Sequence, residues 1–244
     1  MTQQDKPKED KDDAPFDKAD PTRPAKAPRP RDAATLILIR KTRGERVVLM
    51  GQRARGHVFM PDKWVFPGGA VDRPDAAAIA ATELRPEVDA KLRLERSRRA
   101  PRAFALAAVR ETFEETGLVV GRAGARAGKP PQGWAAFAVS DAAPELDKFD
   151  FICRAITPPY RPRRFDARFF MAEADAVLLD DRAHFSGGEL MHTKWFTFPE
   201  ALGLDLPNVT RFVLGEVQER LDGKAPSGPP FLRWTRTGHR TDRL

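Results

Sequence analysis

Cysteine and long apolar runs are nearly missing from this chain of 244 residues. Cys153 is the single cysteine, so an intrachain disulfide is impossible, and a reducing compartment is favoured. No apolar run approaches the roughly 20 residues that a membrane-spanning helix requires. The N-terminal segment also has no apolar stretch typical of a secretory signal. We therefore expect a cytoplasmic protein that has no membrane partner.

The sequence also contains no G-x-G-x-x-G fingerprint, no internal repeat and no recognisable nucleic-acid-binding module. Its formal net charge of +7 would suit nucleic acid, a membrane surface or an anionic small molecule. A charge of this size is also ordinary for a soluble protein, so we expect no nucleic-acid partner. Steep salt dependence of RNA or DNA binding would revive that class.

Large apolar residues are scarce in the first 32 residues, which are rich in Lys, Asp and Pro. Such a composition cannot bury enough surface to order itself, so residues 1–32 are predicted to be a disordered tail. Residues 33–244 are long enough for one substantial core and form the predicted folded domain.

Three carboxylates stand within five residues near the middle of the chain: Glu111, Glu114 and Glu115. The run 103–116 has no Gly or Pro and precedes Gly117, which predicts a helix that ends at a glycine cap. At about 100° per residue, Leu106, Val109 and Phe113 fall on one face. The three glutamates fall on roughly the opposite face, so the helix can dock on a core while presenting them.

Adjacent carboxylates repel one another, and a hard cation is the simplest way to keep them ionised together. Mg²⁺ and Mn²⁺ prefer such oxygen ligands. A solvated acidic helix face is the alternative interpretation, and it would be favoured if the three glutamates stood alone. The residues upstream argue against that alternative.

The upstream motif is Phe66-Pro67-Gly68-Gly69, and the helix itself reads R-E-T-F-E-E-T-G-L over residues 110–118. Together they resemble the Nudix box, G-x5-E-x7-R-E-U-x-E-E-x-G-U, in which U is a bulky apolar residue. Asp75 stands where the family has Glu, and Thr112 stands at an apolar position. The resemblance implies an α/β fold, a Nudix-type α/β/α sandwich with a mixed sheet, and a metal-dependent hydrolase of nucleoside diphosphate derivatives.

The box is interrupted, because 34 residues separate Asp75 from Arg110 where the family usually has seven. Residues 76–102 are predicted to be a helical insertion, with an Ala-rich helix at 76–84 and a charged one at 87–99. Either the insertion covers the rim of the site or it is a solvated elaboration. We expect that a short linker can replace residues 78–100 without unfolding the domain.

The resemblance implies roles for the box residues. Glu111 and Glu115 are four apart and can clamp one Mg²⁺ or Mn²⁺ ion, and Glu114 can hold a second ion or a coordinated water. The main-chain carbonyl near Gly68 commonly completes the ligand set in this family. Arg110 is expected to pair with a box carboxylate and to orient it.

The general base stays open at this stage. A box glutamate is one candidate, and Glu189 on a later loop is another, although Glu189 is equally readable as an exposed residue at the end of a strand. His184 is a further candidate. The remaining histidines have no partner spacing and are predicted to be structural: His57, His192 and His239.

Substrate binding is assigned to arginines, since a guanidinium binds phosphate bidentately. Arg53 lies before the box, and Arg164 and Arg168 belong to a basic cluster that also contains Arg161 and Arg163. Packing against Asp166 or simple solvation is the alternative for each member of the cluster.

Other elements follow from periodicity and turn residues. Strands are predicted at residues 33–39, 47–52, 118–120, 151–156, 163–173 and 189–198, with the first two forming a hairpin. Helices are predicted at residues 134–139 and 208–221, with another beginning at 199–202. Residues 231–244 are predicted to be basic and irregular.

Details of the chain are similar to one Nudix branch, which contains the peroxisomal coenzyme A diphosphatase of animals and many bacterial relatives. These details are Phe59-Met60-Pro61, the expanded box and the P-R-R-F-D-A-R-F-F run at 162–170. The branch implies cleavage of CoA or acyl-CoA. Leu49, Arg53 and Ala54 fit its CoA signature, whereas Val58 and Asp62 replace later members.

Three alternatives remain at this stage: hydrolysis of ADP-ribose or a dinucleotide polyphosphate, a non-catalytic Nudix-like binding module, and nucleic-acid binding. A non-catalytic module is expected to lose box carboxylates, and here all three are present. The expected partner is a small nucleoside diphosphate derivative, and a homodimer is left open.

Overall fold

The computed structural model describes residues 26–55, 61–95, 99–124, 128–180, 190–224, 228–235 and 237–244. They form an α/β/α sandwich around a mixed sheet, which confirms the predicted fold class. No helix in the described ranges is long and apolar enough to cross a membrane.

The strands of the described chain are β1 (Arg31–Thr42), β2 (Glu45–Arg53), β3 (Trp64–Val65), β4 (Gly68–Ala70), β5 (Val119–Val120), β6 (Arg122–Ala123), β7 (Ala142–Ala143), β8 (Asp150–Ile156), β9 (Phe165–Glu173), β10 (Leu178–Asp180), β11 (Leu190–Thr197), β12 (Pro230–Thr235) and β13 (Gly238–Arg243). The helices are α1 (Pro86–Arg93), α2 (Pro101–Thr116), α3 (Ala135–Ala138), α4 (Ala174–Val177), α5 (Phe198–Leu202) and α6 (Asn208–Leu221). Short 3₁₀ turns occupy Arg73–Ala77 and Leu146–Lys148.

The main sheet runs in the order β11-β2-β1-β9-β8-β12-β13, with β3 added to β2 and β4 added to β1. β1 pairs in parallel with β9, and β8 with β12, whereas the hairpins are antiparallel. The predicted β1–β2 hairpin is confirmed, and its turn uses Gly44 at φ 86°. β1 begins at Arg31, two residues before the strand predicted at 33–39.

Alternating residues of β1 face two separate cores. Leu36 and Leu38 are fully buried on the face covered by α2. Ile37 and Ile39 are buried on the other face, which α5 and α6 cover. The sheet therefore separates the acidic helix from the second helical layer.

The insertion contributes to the core, so its interpretation as a solvated elaboration was wrong. Its helical part in the described residues is α1, which begins one residue before the charged helix predicted at 87–99 and ends at Arg93. Val88 and Leu92 are buried against the α2 side of the sheet. Arg154 of β8 donates hydrogen bonds to the carbonyls of Leu94 and Glu95 at 3.3 and 3.1 Å, which fixes the end of α1.

Two other local predictions were wrong. Residues 76–84 are not an Ala-rich helix; they leave the 3₁₀ turn in extended form, with Ala78 buried and Thr82 bridged to Glu145. The C-terminal stretch is not irregular, because β12 and β13 form a hairpin at one edge of the sheet. Most residues of β13 are exposed or half-buried, so no apolar alternation marks it in the sequence.

Candidate active site

Helix α2 carries the acidic cluster, and its ends follow from local chemistry. Pro101 occupies the first helical position, where the missing N–H costs nothing. Gly117 ends the helix in the left-handed conformation at φ 73° and donates its N–H to the carbonyl of Phe113 at 2.8 Å. The predicted end is confirmed, and the start lies two residues earlier than predicted.

The three glutamates of α2 do not share a solvent-exposed face. The side chain of Glu114 is 44% exposed, that of Glu111 is only 17% exposed, and Glu115 is buried at 6%. Strand β4 and the 3₁₀ turn pack over what was expected to be the polar side of the helix. Thr112 at the apolar box position is fully buried, and its hydroxyl donates to the Ala108 carbonyl at 2.7 Å.

The Gly68–Gly69 turn contacts two of the glutamates. The N–H of Gly68 donates to Oε2 of Glu115 at 2.8 Å. A Cβ on Gly69 would collide with the carboxylate of Glu111, and one on Gly68 would collide with β1. Glycine is therefore required here for close approach of the backbone to the helix. As a result, the carboxylates of Glu115 and Glu111 lie next to Gly68 and Gly69, which are neighbours in the chain.

A buried ion pair between Arg110 and Asp75 closes the interrupted box. Nε and Nη2 of Arg110 donate to Asp75 at 2.9 and 3.2 Å, and the Nε1 of Trp134 and the N–H of Asp72 also donate to it, at 2.9 and 2.8 Å. Asp75 is 1% exposed. The pairing of Arg110 with a carboxylate that the sequence predicts is therefore present, and the carboxylate is that of Asp75.

Arg110 also connects Asp75 to the acidic helix. Its Nη1 donates to Glu111 at 2.9 Å and to Glu114 at 3.0 Å, and its Nη2 donates to the carbonyl of Ala70 at 2.9 Å. Burial lowers the pKa of Arg110, but the hydrogen bond to Asp75 and the surrounding carboxylates outweigh it and raise the pKa. The guanidinium therefore stays charged and fixes the direction of the neighbouring carboxylates.

The pKa of the Glu111 carboxyl group is displaced far from its ordinary value. Burial raises its pKa to about 7, and Glu114 and Asp75 add to the rise, whereas the charge of Arg110 opposes it. A group of this kind exchanges its proton near neutral pH, where a general base works best and where a cation competes with the proton most effectively.

The cluster has the negative charge that a cation site needs, but its carboxylates do not converge on a single point as metal ligands do. The Arg110 guanidinium contacts three carboxylates (Asp75, Glu111 and Glu114), and Glu115 is held by the N–H of Gly68, so the formal charge of the cluster is −3 with all four carboxylates ionised. Within the described ranges, no three acidic, histidine or cysteine side chains converge as ready-made metal ligands. Arg110 and the Gly68 N–H hold carboxylate oxygens that an ion would use.

A cleft opens on the face of the sheet opposite α2, and it reaches the Gly68–Gly69 turn that contacts this cluster. Its volume is about 560 Å³, within the range of roughly 300–1,000 Å³ typical of small-molecule sites. Gly68 and Gly69 line it, so one turn contacts the carboxylates of α2 and also forms a wall of the cleft. The N-terminal turn of α6 and the loop after β8 form the other walls.

Alanines in neighbouring strands leave the space for this cleft. Ala33 of β1 is paired with Ala167 of β9, Ala167 with Ala155 of β8, and Ala155 with Leu232 of β12. All of them line the cleft. Methyl groups in register make a flat floor, whereas larger side chains such as Ile37 and Ile39 fill the same face further along β1.

The structure places one predicted substrate-binding residue at the cleft and two elsewhere. Arg53 lines the cleft. Arg168 is 1% exposed on the opposite face of β9, 4.1 Å over the ring of Phe104, and it donates to Asp166 at 2.8 Å. Burial lowers its pKa to about 10, although Asp166 opposes that shift. Its assignment to substrate was wrong, because strand alternation points it into the α2 core.

Arg164 is also held away from the cleft. Its Nε donates to the carbonyl of Thr157 and its Nη1 to that of Pro28, both at 2.9 Å. It therefore fixes the chain before β1 to the loop after β8. Glu189 and the alternative base His184 lie outside the described residues, and so does His57, so these assignments stay predictions.

Sequence reasoning missed three residues of the site: Trp134, Tyr160 and Trp234. Trp134 anchors Asp75, and nothing in its local pattern points to that role. Tyr160 and Trp234 line the cleft together with Arg161, which belongs to the basic cluster, and His239, which was expected to be structural. Only the sheet order brings the segments of Tyr160, Trp234 and His239 together.

Similarity to known proteins is concentrated in one family, although no protein-family model matches the chain. "Putative nudix hydrolase 7" of Caenorhabditis elegans is 33% identical over 171 residues, which are 62% of this chain and 45% of that protein. The chain therefore spans less than half the length of that curated relative.

Among solved structures, a NUDIX hydrolase from Alicyclobacillus acidocaldarius has a TM-score of 0.62 and 27% identity, covering 82% of this chain and 99% of its own. The sandwich described above is thus the Nudix fold. Together with the box residues, the two similarities support a relationship to the Nudix hydrolase family.

Proposed function

We propose that this chain hydrolyses a diphosphate bond in a nucleoside diphosphate derivative, with Mg²⁺ or Mn²⁺ as the cofactor. The observation that carries the proposal is the Gly68–Gly69 turn, which contacts the carboxylates of Glu111 and Glu115 and also lines the cleft. The acidic cluster and a space large enough for a nucleotide therefore share one wall. Chemistry at the cluster can act on a substrate in the cleft.

The donor set fits a divalent cation by chemistry and charge. Glu111 and Glu115, both in contact with the turn, would hold the ion together with the main-chain carbonyl of Gly68, and Glu114 would add an oxygen on the exposed side. When bound, a divalent ion neutralises phosphate charge and acidifies a coordinated water. Binding requires carboxylate oxygens now held by Arg110 to turn toward the ion.

The chain's own residues position the reaction. Asp75 and Trp134 hold the guanidinium of Arg110, which in turn fixes the neighbouring glutamates. Glu111, with a pKa of about 7, can accept a proton near neutral pH. Glu111, Glu114 and Glu189 are the candidate bases, and Arg110 is a positioning residue.

CoA or acyl-CoA is the first candidate substrate. Support comes from the expanded box, from the partial CoA signature at Leu49, Arg53 and Ala54, and from a cleft in which apolar side chains predominate. Arg53 brings a positive charge to the same cleft. ADP-ribose and dinucleotide polyphosphates are the alternatives.

A substrate panel tests the proposal. The full chain is incubated with CoA, an acyl-CoA, ADP-ribose and a dinucleotide polyphosphate, each with Mg²⁺, with Mn²⁺ and with excess chelator, and products are identified by mass. We expect CoA to yield adenosine 3′,5′-bisphosphate and a phosphopantetheine, and no product to form in chelator. The absence of diphosphate cleavage from every substrate with either ion would contradict the proposal.

A further inference from the structure

An aromatic and basic corner lies at one end of the cleft. Trp234 of β12 remains 38% exposed although most large apolar residues of the described chain are buried. The ring of Tyr160 meets it edge to face, with centroids 5.5 Å apart at 87°. The guanidinium of Arg161 lies 5.8 Å from the Tyr160 ring, and His239 is the partner of Trp234 across the β12–β13 pair. All four line the cleft.

The floor next to this corner is flat. Trp234 stands two residues beyond Leu232, so both side chains project from the same face of β12. Leu232 ends the row that continues through Ala155 and Ala167. A planar group can therefore lie along the methyl floor, pass over Leu232 and reach the indole.

We propose that this corner binds the nucleobase of the substrate, with Trp234 as the stacking residue and Tyr160 holding the indole in place. The inference rests on the proposed function only in taking the substrate to be a nucleotide derivative. It adds the orientation: the base lies at the Trp234 end, and the diphosphate lies toward the Gly68–Gly69 turn.

Polar groups on the walls of the cleft favour a base over an alkyl chain. Asn208 and Thr210 at the start of α6 line the cleft, as does His239. A base has donors and acceptors on its edge that such side chains can satisfy, whereas an alkyl chain would leave them unpaired and desolvated. Arg53 and Arg161 supply positive charge on the walls for the phosphates that follow the base.

The test measures binding without catalysis. AMP, GMP, CMP and UMP are titrated into the full chain in excess EDTA by calorimetry, with ribose 5-phosphate as the probe that lacks a base. Base–aromatic stacking lost on substitution to alanine weakens binding by about 10- to 100-fold. We expect a loss of that size for the preferred mononucleotide in Trp234→Ala, near-normal affinity in Trp234→Phe, and no change for ribose 5-phosphate.

Trp195→Ala is the matched control. Trp195 lies on β11 at the other edge of the sheet, with the guanidinium of Arg40 4.1 Å from its ring, and it is not among the residues that line the cleft. Its substitution should leave mononucleotide affinity unchanged. Circular dichroism and thermal unfolding show whether each variant is folded. If Trp234→Ala does not fold, the affinity of Trp234→Phe still tests whether an aromatic ring at this position is sufficient for binding.

Three results would overturn the inference: equal affinity for the mononucleotides and ribose 5-phosphate, wild-type affinity in Trp234→Ala, or no measurable mononucleotide binding at millimolar concentration. The first two indicate that another part of the substrate occupies the corner. Because EDTA removes the hydrolytic reaction, the outcomes separate from those of the panel. Binding through Trp234 without hydrolysis would contradict the proposed function alone, and hydrolysis with unchanged binding in Trp234→Ala would contradict the inference alone.

Discussion

Arg110 is the residue on which the interrupted box depends. It contacts Asp75 from one side of a 34-residue interruption and Glu111 and Glu114 from the other. The sequence match singled out Arg110 and the glutamates because their spacing lies within one helix. It could not show that Glu115 is buried, since the covering strand β4 approaches from 47 residues upstream.

Glu115→Gln separates charge from packing at this site. Glutamine keeps the size and an oxygen that can accept the N–H of Gly68, so the domain should stay folded. It removes the negative charge, and losing one well-placed electrostatic group costs about 10²–10³ in kcat. Steady-state rates at saturating Mg²⁺, with urea unfolding in parallel, measure both effects.

Glu219→Gln on the exposed face of α6 is the matched control and should change neither quantity. If Glu115→Gln retains more than about a tenth of the wild-type kcat, well above the loss expected for such a group, α2 is not the metal site. If the variant unfolds, the domain needs the negative charge of Glu115 in its hydrogen bond with the N–H of Gly68 in order to fold.

Glu111 should make the metal-free protein less stable as the pH rises. Its pKa in the folded state is raised from 4.5 to about 7. Between these values the folded chain keeps a proton that the unfolded chain has lost, so the free energy of unfolding falls with increasing pH. The decrease reaches at most roughly 3 kcal/mol and is complete above the folded pKa.

Urea unfolding in EDTA at pH 5 and pH 8, for wild type and Glu111→Gln, isolates this contribution. The wild type should lose more stability than the variant over that interval, because glutamine does not titrate. Added Mg²⁺ should reverse the loss at pH 8 and not at pH 5, where the proton competes with the ion. Equal losses in the two proteins would show that Glu111 titrates normally.

At the scale of elements, the insertion is a structural part of the domain. Leu92 on α1 is 2% exposed and packs in the α2 core, whereas Leu94, two residues later, is 45% exposed. Arg154 holds the end of α1 by two main-chain carbonyls. A short linker in place of residues 78–100 would therefore uncover core residues and should prevent cooperative unfolding, contrary to the expectation from sequence.

The same substitution at two leucines, Leu92→Ala and Leu94→Ala, tests whether α1 contributes to the core. Truncating a buried leucine costs about 2–5 kcal/mol, so the first variant should lose stability in that range. The second should change by less than about 0.5 kcal/mol. Urea unfolding measures both, and kcat at a temperature where both are folded should equal that of the wild type. Equal stability of the two variants would show that Leu92 is not a core residue and that α1 is a surface elaboration.

Elements with an uninterrupted pattern were predicted well. Helix α6 was placed at its observed bounds, and the end of α2 was marked by Gly117. Residues 76–84 failed because alanine propensity is weaker than the tertiary contacts that draw Ala78 into the core. β13 failed because an edge strand facing solvent shows no apolar alternation.

At the scale of the whole molecule, the acidic cluster and the cleft lie on opposite faces of the sheet. Its α2 face carries the carboxylates and the buried arginines, and its α6 face carries the cleft. The cleft could not be predicted from sequence, because its floor aligns Ala33 with Ala155 and Ala167, which lie more than 120 residues further along the chain. Only the pairing register reveals that these three common residues form one surface.

This separation predicts that the cleft can be filled without disturbing the acidic cluster. Ala167→Leu places a branched side chain in the middle of the floor, on the face away from Arg168 and α2. The added apolar group enters existing space, so stability should change by less than about 1 kcal/mol. Substrate should bind more weakly, and KM should rise by roughly tenfold or more, as expected when about 1.4 kcal/mol of binding is lost.

The kinetic split distinguishes this from general damage. Because the glutamates and Arg110 lie on the other face, kcat at saturating substrate and the Mg²⁺ concentration for half-maximal rate should stay within about twofold of wild type, a change of under 0.5 kcal/mol. Ala172→Leu, at a buried position on the α2 face of the same strand, should instead destabilise the fold by overpacking. A fall in kcat at unchanged KM in Ala167→Leu would mean that substrate does not occupy the alanine floor, and that the two faces are coupled through β9.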